Sequence, residues 1–322
     1  MAFSSVARGN IYMIVSKTFS GLNQNALRYL LPKWLNPHAG VLLRLGAGAL
    51  LFWILGLLTR SEQKTKISWF QRLQLFAVGL FLVFGYMWCL LEGLTYTTPI
   101  SSSIFISLQP VFTFIICLFL KTERLTISKS IGIALGVGGA LTIVLTQKST
   151  DIATNPVLGN MLCLAGAVIY AFYLVLEKFF LKTMSNATMS KWTFFGGSVS
   201  AFVMIVFTDW EAPVLTMNLF STPMLVLLFV LVFPSFISYL LSDMSLKILP
   251  ATVVALYGEL ILIVAAIASY ILGQDVFDWW QPLAIGLMIA GVYFVEHSEK
   301  MTNSLSAISA EGKDVASKDN AK

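Results

Sequence analysis

Apolar runs of about twenty residues recur along nearly the whole of this 322-residue chain, and that recurrence leaves few folds open. A helix rises ~1.5 Å per residue, so about twenty residues cross a hydrocarbon layer of ~30 Å. Inside that layer every backbone N–H and C=O must find its partner within its own segment, which a helix provides and an open sheet does not. The runs at 10–31, 39–58, 70–94, 99–120, 127–146, 157–181, 191–208, 223–244, 251–272 and 279–297 are therefore predicted to be membrane-spanning helices. The expected fold class is an all-α integral membrane protein with about ten transmembrane helices. Charged residues make up only 11% of the chain, against ~25% in soluble domains. The loops between runs are too short to hold a soluble catalytic domain.

Residue chemistry narrows the function classes further. Cys89, Cys117 and Cys163 all lie inside apolar runs, with neither a disulfide framework nor metal-ligand spacing. No HExxH helix or GxSxG elbow occurs, and the two histidines, His38 and His297, stand at span ends. No enzyme activity, cofactor or metal site is expected. The net charge of +5 needs no nucleic acid as partner, because its distribution accounts for it.

With the N-terminus in the cytoplasm, the inner side receives Arg8, Arg60, Lys64, Lys66, Arg72, Lys121, Arg124, Lys129, Lys178, Lys182, Lys191 and Lys247. The outer loops receive only Lys33 and Lys148, together with the acids Asp151, Asp209, Glu211, Asp275 and Asp278. That bias sets orientation in short loops and predicts both termini in the cytoplasm. The polar segment 298–322 is predicted to be a disordered cytoplasmic tail.

The chain also repeats itself. "GNIYMIVSKTFSGLNQNALRYLL" starts at Gly9 and "GNMLCLAGAVIYAFYLVLEKFFL" at Gly159, an offset of 159 − 9 = 150. The same offset pairs Arg28 with Lys178, Asn36 with Asn186 and Gly46 with Gly196. Farther on Gly139 pairs with Gly291, an offset of 152, as a small loop insertion would give. Two copies are expected, at 9–147 and 156–297, each of five spans. An odd number of spans forces the copies into opposite orientations, the inverted-repeat architecture of carriers with a site between the halves.

"SLQPVFTFIICLFLKTERLT" (Ser107 to Thr126), followed by "SIGIALGVGGALTIV", resembles the EamA-type domain of the drug/metabolite transporter superfamily. The second copy carries a looser version in "LYGELILIVAAIASYILGQDVF" and "PLAIGLMIAGVYFV", and "LRLGAGALLF" around Arg44 resembles the family's arginine segment in its second span. Gln109 stands where that family commonly has Glu, Gln274-Asp275 replace its Glu-Arg corner, and Pro110 has no counterpart in the second copy. The resemblance implies a secondary carrier in the plasma membrane, the inner membrane of a bacterium, that exports small metabolites such as amino acids by alternating access. A sugar-phosphate or nucleotide-sugar exchanger is the alternative, and a non-transporting receptor or scaffold a more distant one.

Polar residues inside the spans mark the candidate pathway, because lipid does not tolerate them. In the first span Lys17, Ser20, Gly21, Gln24 and Arg28 recur at three- and four-residue steps and form one stripe. In the fourth, Ser102, Gln109 and Thr113 share a face beside Pro110, which is expected to kink the helix and free a carbonyl. Tyr170 and Tyr173 offer rings and hydroxyls in the sixth, with Glu177 expected at the cytoplasmic interface. Arg44 and Glu92 sit at similar depth and are a candidate ion pair, or Arg44 holds an anionic substrate group. Glu259, deep in "ALYGELILIVAAIASYIL", is expected near mid-membrane as a partner of Lys17 or as a proton carrier, with protons as coupling ion. The small faces Gly132/Gly136/Ala140 and Gly286/Ala290 serve helix packing within the chain or a homodimer seam.

Overall fold

The structure is a computed structural model and describes residues 5–59, 67–120, 126–146, 153–249, 257–275, 277–287, 289–291 and 293–294. The side chains of Ser107, Pro110, Ala140, Ile143, Val144 and Glu259 lie outside this description, as does the segment 298–322. Among the described residues there are ten helical spans and no strand: α1 (Ser5–Leu30), α2 (Pro37–Thr59), α3 (Trp69–Tyr96), α4 (Pro99–Phe119), α5 (Ile127–Thr146), α6 (Pro156–Phe180), α7 (Asn186–Phe207), α8 (Thr222–Leu246), α9 (Gly258–Ile271) and α10 (Trp280–Gly291). The all-α membrane architecture expected from the apolar runs is the one observed.

Six of these helices, α2, α3, α4, α6, α7 and α8, are long and apolar enough to cross a membrane by length and composition alone. At 26 residues α1 is long enough, and its polar stripe is what lowers its hydropathy. Helix starts follow local chemistry. The Ser68 hydroxyl accepts from the Gln71 N–H while the Gln71 side chain accepts from the Ser68 N–H, a capping box at the head of α3. Thr98, Asn155 and Ser185 cap α4, α6 and α7, with Pro at the first turn of α4 and α6, where its missing N–H costs nothing.

Three spans are irregular, and each irregularity bears on the interior. α3 passes through a π-turn at Gly79–Val83, and α8 through one at Phe233–Ile237. α4 is interrupted at Leu108, where the Leu108 N–H turns to the Phe105 carbonyl at 3.2 Å, two residues before the expected kink at Pro110. A π-turn inserts an extra residue and re-aims the side chains around it, and such bulges concentrate at functional sites.

Packing follows a repeating pattern. α2 lies against α7, α3 against α6, α1 against α8 and α9, α4 against α6 and α9. Exchanging each helix for the one five places away turns α1–α8 into α6–α3 and α1–α9 into α6–α4. It leaves α2–α7 and α4–α9 unchanged, so the contacts map onto themselves. The closest approach is between α3 and α7. A Cβ on Gly79 would overlap the backbone of Thr193, and one on Gly196 the backbone of Phe76, so only glycine allows these helices to touch. The small face of α5 is used within the chain. A Cβ on Gly291 of α10 would lie 2.7 Å from the Gly132 carbonyl and the Gly136 nitrogen. Outward, residues such as Leu57, Leu58, Phe81, Phe119, Phe207 and Ile271 are mostly exposed, an apolar belt suited to lipid.

Candidate functional site

A cavity opens where α1, α2, α3, α4, α6, α8 and α9 converge. It spans about 530 Å³ of empty space, mouth included. That is room for several waters or one small polar molecule.

The stripe on α1 supplies Ser16, Lys17, Ser20, Asn23 and Gln24 to its wall. The helical repeat keeps these side chains on one face, while buried Asn25 turns the other way and fastens α1 to α9. Asn25 Nδ2 donates to the Ala265 carbonyl at 3.2 Å, and its Oδ1 accepts from Ser269 Oγ at 2.7 Å. Ser16 and Ser238 exchange hydrogen bonds across α1 and α8, each hydroxyl donating to the other's carbonyl at 2.7 and 3.1 Å. Ser102 Oγ donates to Gln24 Oε1 at 3.3 Å and holds the amide beside Gln109.

From α2 comes Arg44, only 3% exposed. Its Nε donates to Ser235 Oγ at 3.0 Å, and Ser235 in turn donates to the Val230 carbonyl at 2.8 Å, five residues back, which the π-turn of α8 permits. Arg44 Nη1 is buried without a hydrogen-bond partner. Tyr86 and Tyr239, hydrogen-bonded to each other, are the groups whose oxygens face it. The Tyr86 and Tyr170 rings lie 4.6 Å apart, with Tyr173 5.6 Å behind Tyr170. These rings form an aromatic wall on the α3–α6 side.

Below this cavity sits a buried acidic pair. Glu177 of α6 and Asp243 of α8 are 3% and 2% exposed and face each other. Two carboxyls buried side by side can share one proton. Ser190 Oγ donates to Asp243 Oδ2 at 3.1 Å, and Lys17 is the cation that faces Glu177.

The expected residues thus fall into groups. Lys17, Gln24, Arg44, Gln109 and Tyr170 line one cavity. Tyr173 packs behind it, 2% exposed. Arg44 and Glu92 do not pair: Glu92 instead accepts from the Tyr96 hydroxyl at 3.2 Å and lies 4.0 Å from His38 Nε2. The Lys17–Glu259 pair lies outside the described residues, since the Glu259 side chain does, and the carboxylate that Lys17 does face is Glu177. Glu177 is not an interfacial charge, because α6 carries it inside the bundle. Tyr86, Ser238, Tyr239, Ser242 and Asp243 were missed. Asp243 had a legible signal, an acid inside the apolar run 223–244, of the kind that singled out Glu259.

The chain is similar to proteins whose names point to transport. It is 26% identical over 287 residues to "Uncharacterized transporter YyaM" of Bacillus subtilis (strain 168), covering 88% of this chain and 92% of that one. It is 26% identical over 230 residues to "Uncharacterized transporter YetK" of the same organism, 70% of this chain and 68% of that one. A match to an "Uncharacterized transporter" of Archaeoglobus fulgidus is 28% identical over 189 residues, 59% and 64% of the two chains. A solved crystal structure superposes with a TM-score of 0.62 at 17% identity, over 90% of this chain and 96% of that one, which shows a shared fold. The EamA-like transporter family matches residues 7–145 and again 157–296, two repeats of five helices. Nearly the whole chain is so covered, and this multi-pass membrane protein belongs to the EamA-like transporter family.

Proposed function

We propose that the chain is a secondary carrier, not an enzyme, that exports small polar metabolites of amino-acid type by alternating access around the central cavity. The observation that carries this reading is the cavity itself. Polar groups from the first half (Lys17, Gln24, Arg44, Gln109) and the second (Tyr170, Ser238, Tyr239) converge on one small space between two repeats, the arrangement expected of a carrier's central site. The Lys and Arg bias of the loops supports a plasma-membrane location with both termini in the cytoplasm.

Protons are the proposed coupling ion. The support is the buried carboxyl pair of Glu177 and Asp243, set against Lys17 from α1, Tyr173 from α6, Ser190 and Thr193 from α7, and Tyr239 and Lys247 from α8. A buried acid pair that shares a proton in one state and separates in another can carry it across. The exchanger reading, with sugar phosphates as cargo, is favoured only by the two cations in the cavity wall, Lys17 and Arg44. A homodimer would need a surface other than the α5 small face, which α10 occupies.

The test is export. Wild type and Gln24→Leu are expressed at matched membrane levels, and metabolites in the medium are profiled by mass spectrometry. The expected outcome is one small metabolite that accumulates outside with the wild type and several-fold less with the variant. A medium identical to that of the empty-vector strain sinks the export reading.

A further inference from the structure

Arg44 and Lys17 are the two cations of the cavity wall. Lys17 faces Glu177, and Asp243 beside Glu177 accepts from Ser190. The groups that face Arg44 are the Tyr86 and Tyr239 hydroxyls, not a carboxylate. Arg44 is 3% exposed, no carboxylate among the described residues lies within ion-pair distance, and its Nη1 lacks a hydrogen-bond partner. Its Nε is held by Ser235, which orients the guanidinium at the cavity wall with Nη1 buried and unpaired. A buried guanidinium left uncompensated is a costly arrangement, and one that an incoming anion relieves.

From this we infer that Arg44 is the anion-binding subsite of the cavity and that the cargo is a small molecule with a single carboxylate. The inference rests on the reading of the cavity as the cargo site. A planar carboxylate matches the guanidinium fork. A phosphate dianion would call for a second cation given over to it, and the charge of Glu177 already acts on Lys17. Of the Tyr86 and Tyr239 hydroxyls beside Arg44 one donates to the other, which leaves one as an additional donor, and the Tyr170 ring offers a face for the rest of the molecule. The narrow cavity limits that remainder to a few carbons in this state.

Equilibrium binding tests this without requiring any transport. Detergent-purified full-length protein is heated in the presence of sodium salts of two- to six-carbon monocarboxylates and α-amino acids. The matched primary amides and inorganic phosphate are run alongside. At least one carboxylate is expected to raise the unfolding temperature with saturation, its amide not. Arg44→Lys, which keeps the charge and loses the fork, is expected to raise the half-saturating concentration several-fold, and Arg44→Gln roughly 30-fold or more, the scale of removing one partner from a buried charge pair. Lys17→Gln is the comparison for the other basic side chain in the wall. A folded, monodisperse Arg44→Lys protein that binds as tightly as wild type overturns the assignment. So does a panel in which phosphate alone acts, amides act equally, or nothing shifts the wild type. Carboxylate binding without export leaves this inference standing and removes the carrier reading, while export of a cargo with no carboxylate does the reverse.

Discussion

Ser235 shows how one hydroxyl ties sequence to site. It sits in the π-turn of α8, accepts from Arg44 and donates back along its own helix. Ser235→Ala removes the hydrogen-bond partner of a buried charged N–H, and stranding such a donor costs about 1–3 kcal/mol. The variant is expected to unfold at lower temperature in detergent, with Ser238→Ala, which loses one shared bond to Ser16, affected less. Equal stability of Ser235→Ala and wild type would mean that water replaces the serine. At the same scale Glu177→Gln keeps the shape of the acid pair but fixes its proton. Uptake into proteoliposomes driven by an imposed pH gradient is expected to collapse, while exchange of labelled for unlabelled cargo across equal pH persists. Loss of both would make Glu177 a packing residue. Sequence patterning found Lys17, Gln24, Arg44, Gln109 and Tyr170 because helical spacing reports which residues share a face. It misplaced Glu177, because counting residues from a span end gives depth but not rotation, and it is rotation that points this carboxyl at Asp243.

Helices are held at distances that side chains set, and α3 and α7 are held by having none. Gly79 and Gly196 meet backbone on the opposite helix where a methyl would stand, whereas Gly46 of α2 meets nothing within 4 Å. Gly79→Ala and Gly196→Ala are each expected to destabilise by about 1–3 kcal/mol or to prevent membrane accumulation, as overpacked contacts do. Gly46→Ala is expected to be neutral, or to stabilise by up to ~1 kcal/mol through helix propensity. Thermal unfolding of the three variants checks the ordering, and a harmless Gly79→Ala would mean that α3 and α7 slide apart freely. Much of this element scale was legible: the apolar runs marked the spans, and Gly46 and Gly196 surfaced as a matched pair of the repeat. Their unlike roles were not legible, since one glycine faces a neighbouring backbone and the other open space. The π-turns in α3 and α8 left no period in the sequence either. They occupy corresponding spans of the two repeats, which links local irregularity to the duplication.

At the scale of the whole molecule, the repeat read from the sequence and the bodies seen in the packing are different partitions. The halves divide between α5 and α6, yet α1 packs on α8 and α9, and α6 on α3 and α4. The first helix of each repeat is lent to the other. If alternating access rocks rigid bodies, the bodies are then α1 with α8 and α9, and α6 with α3 and α4, meeting along α4–α9 beside the cavity. A cross-link inside one body would be tolerated, and one between bodies would not. Cysteines at Ser16 and Ser238, whose hydroxyls each reach the other's carbonyl, lie within one body. Cysteines at Ile104 of α4 and Leu262 of α9, members of one buried cluster, lie in different bodies. Bridged by a short bifunctional thiol reagent, with Cys89, Cys117 and Cys163 replaced, the first pair is expected to transport at near the unbridged rate. The second pair is expected to stop and to recover on cleavage of the bridge. Inhibition by the first pair with tolerance of the second would mean that the carrier moves as its sequence halves, with α1 sliding on α8.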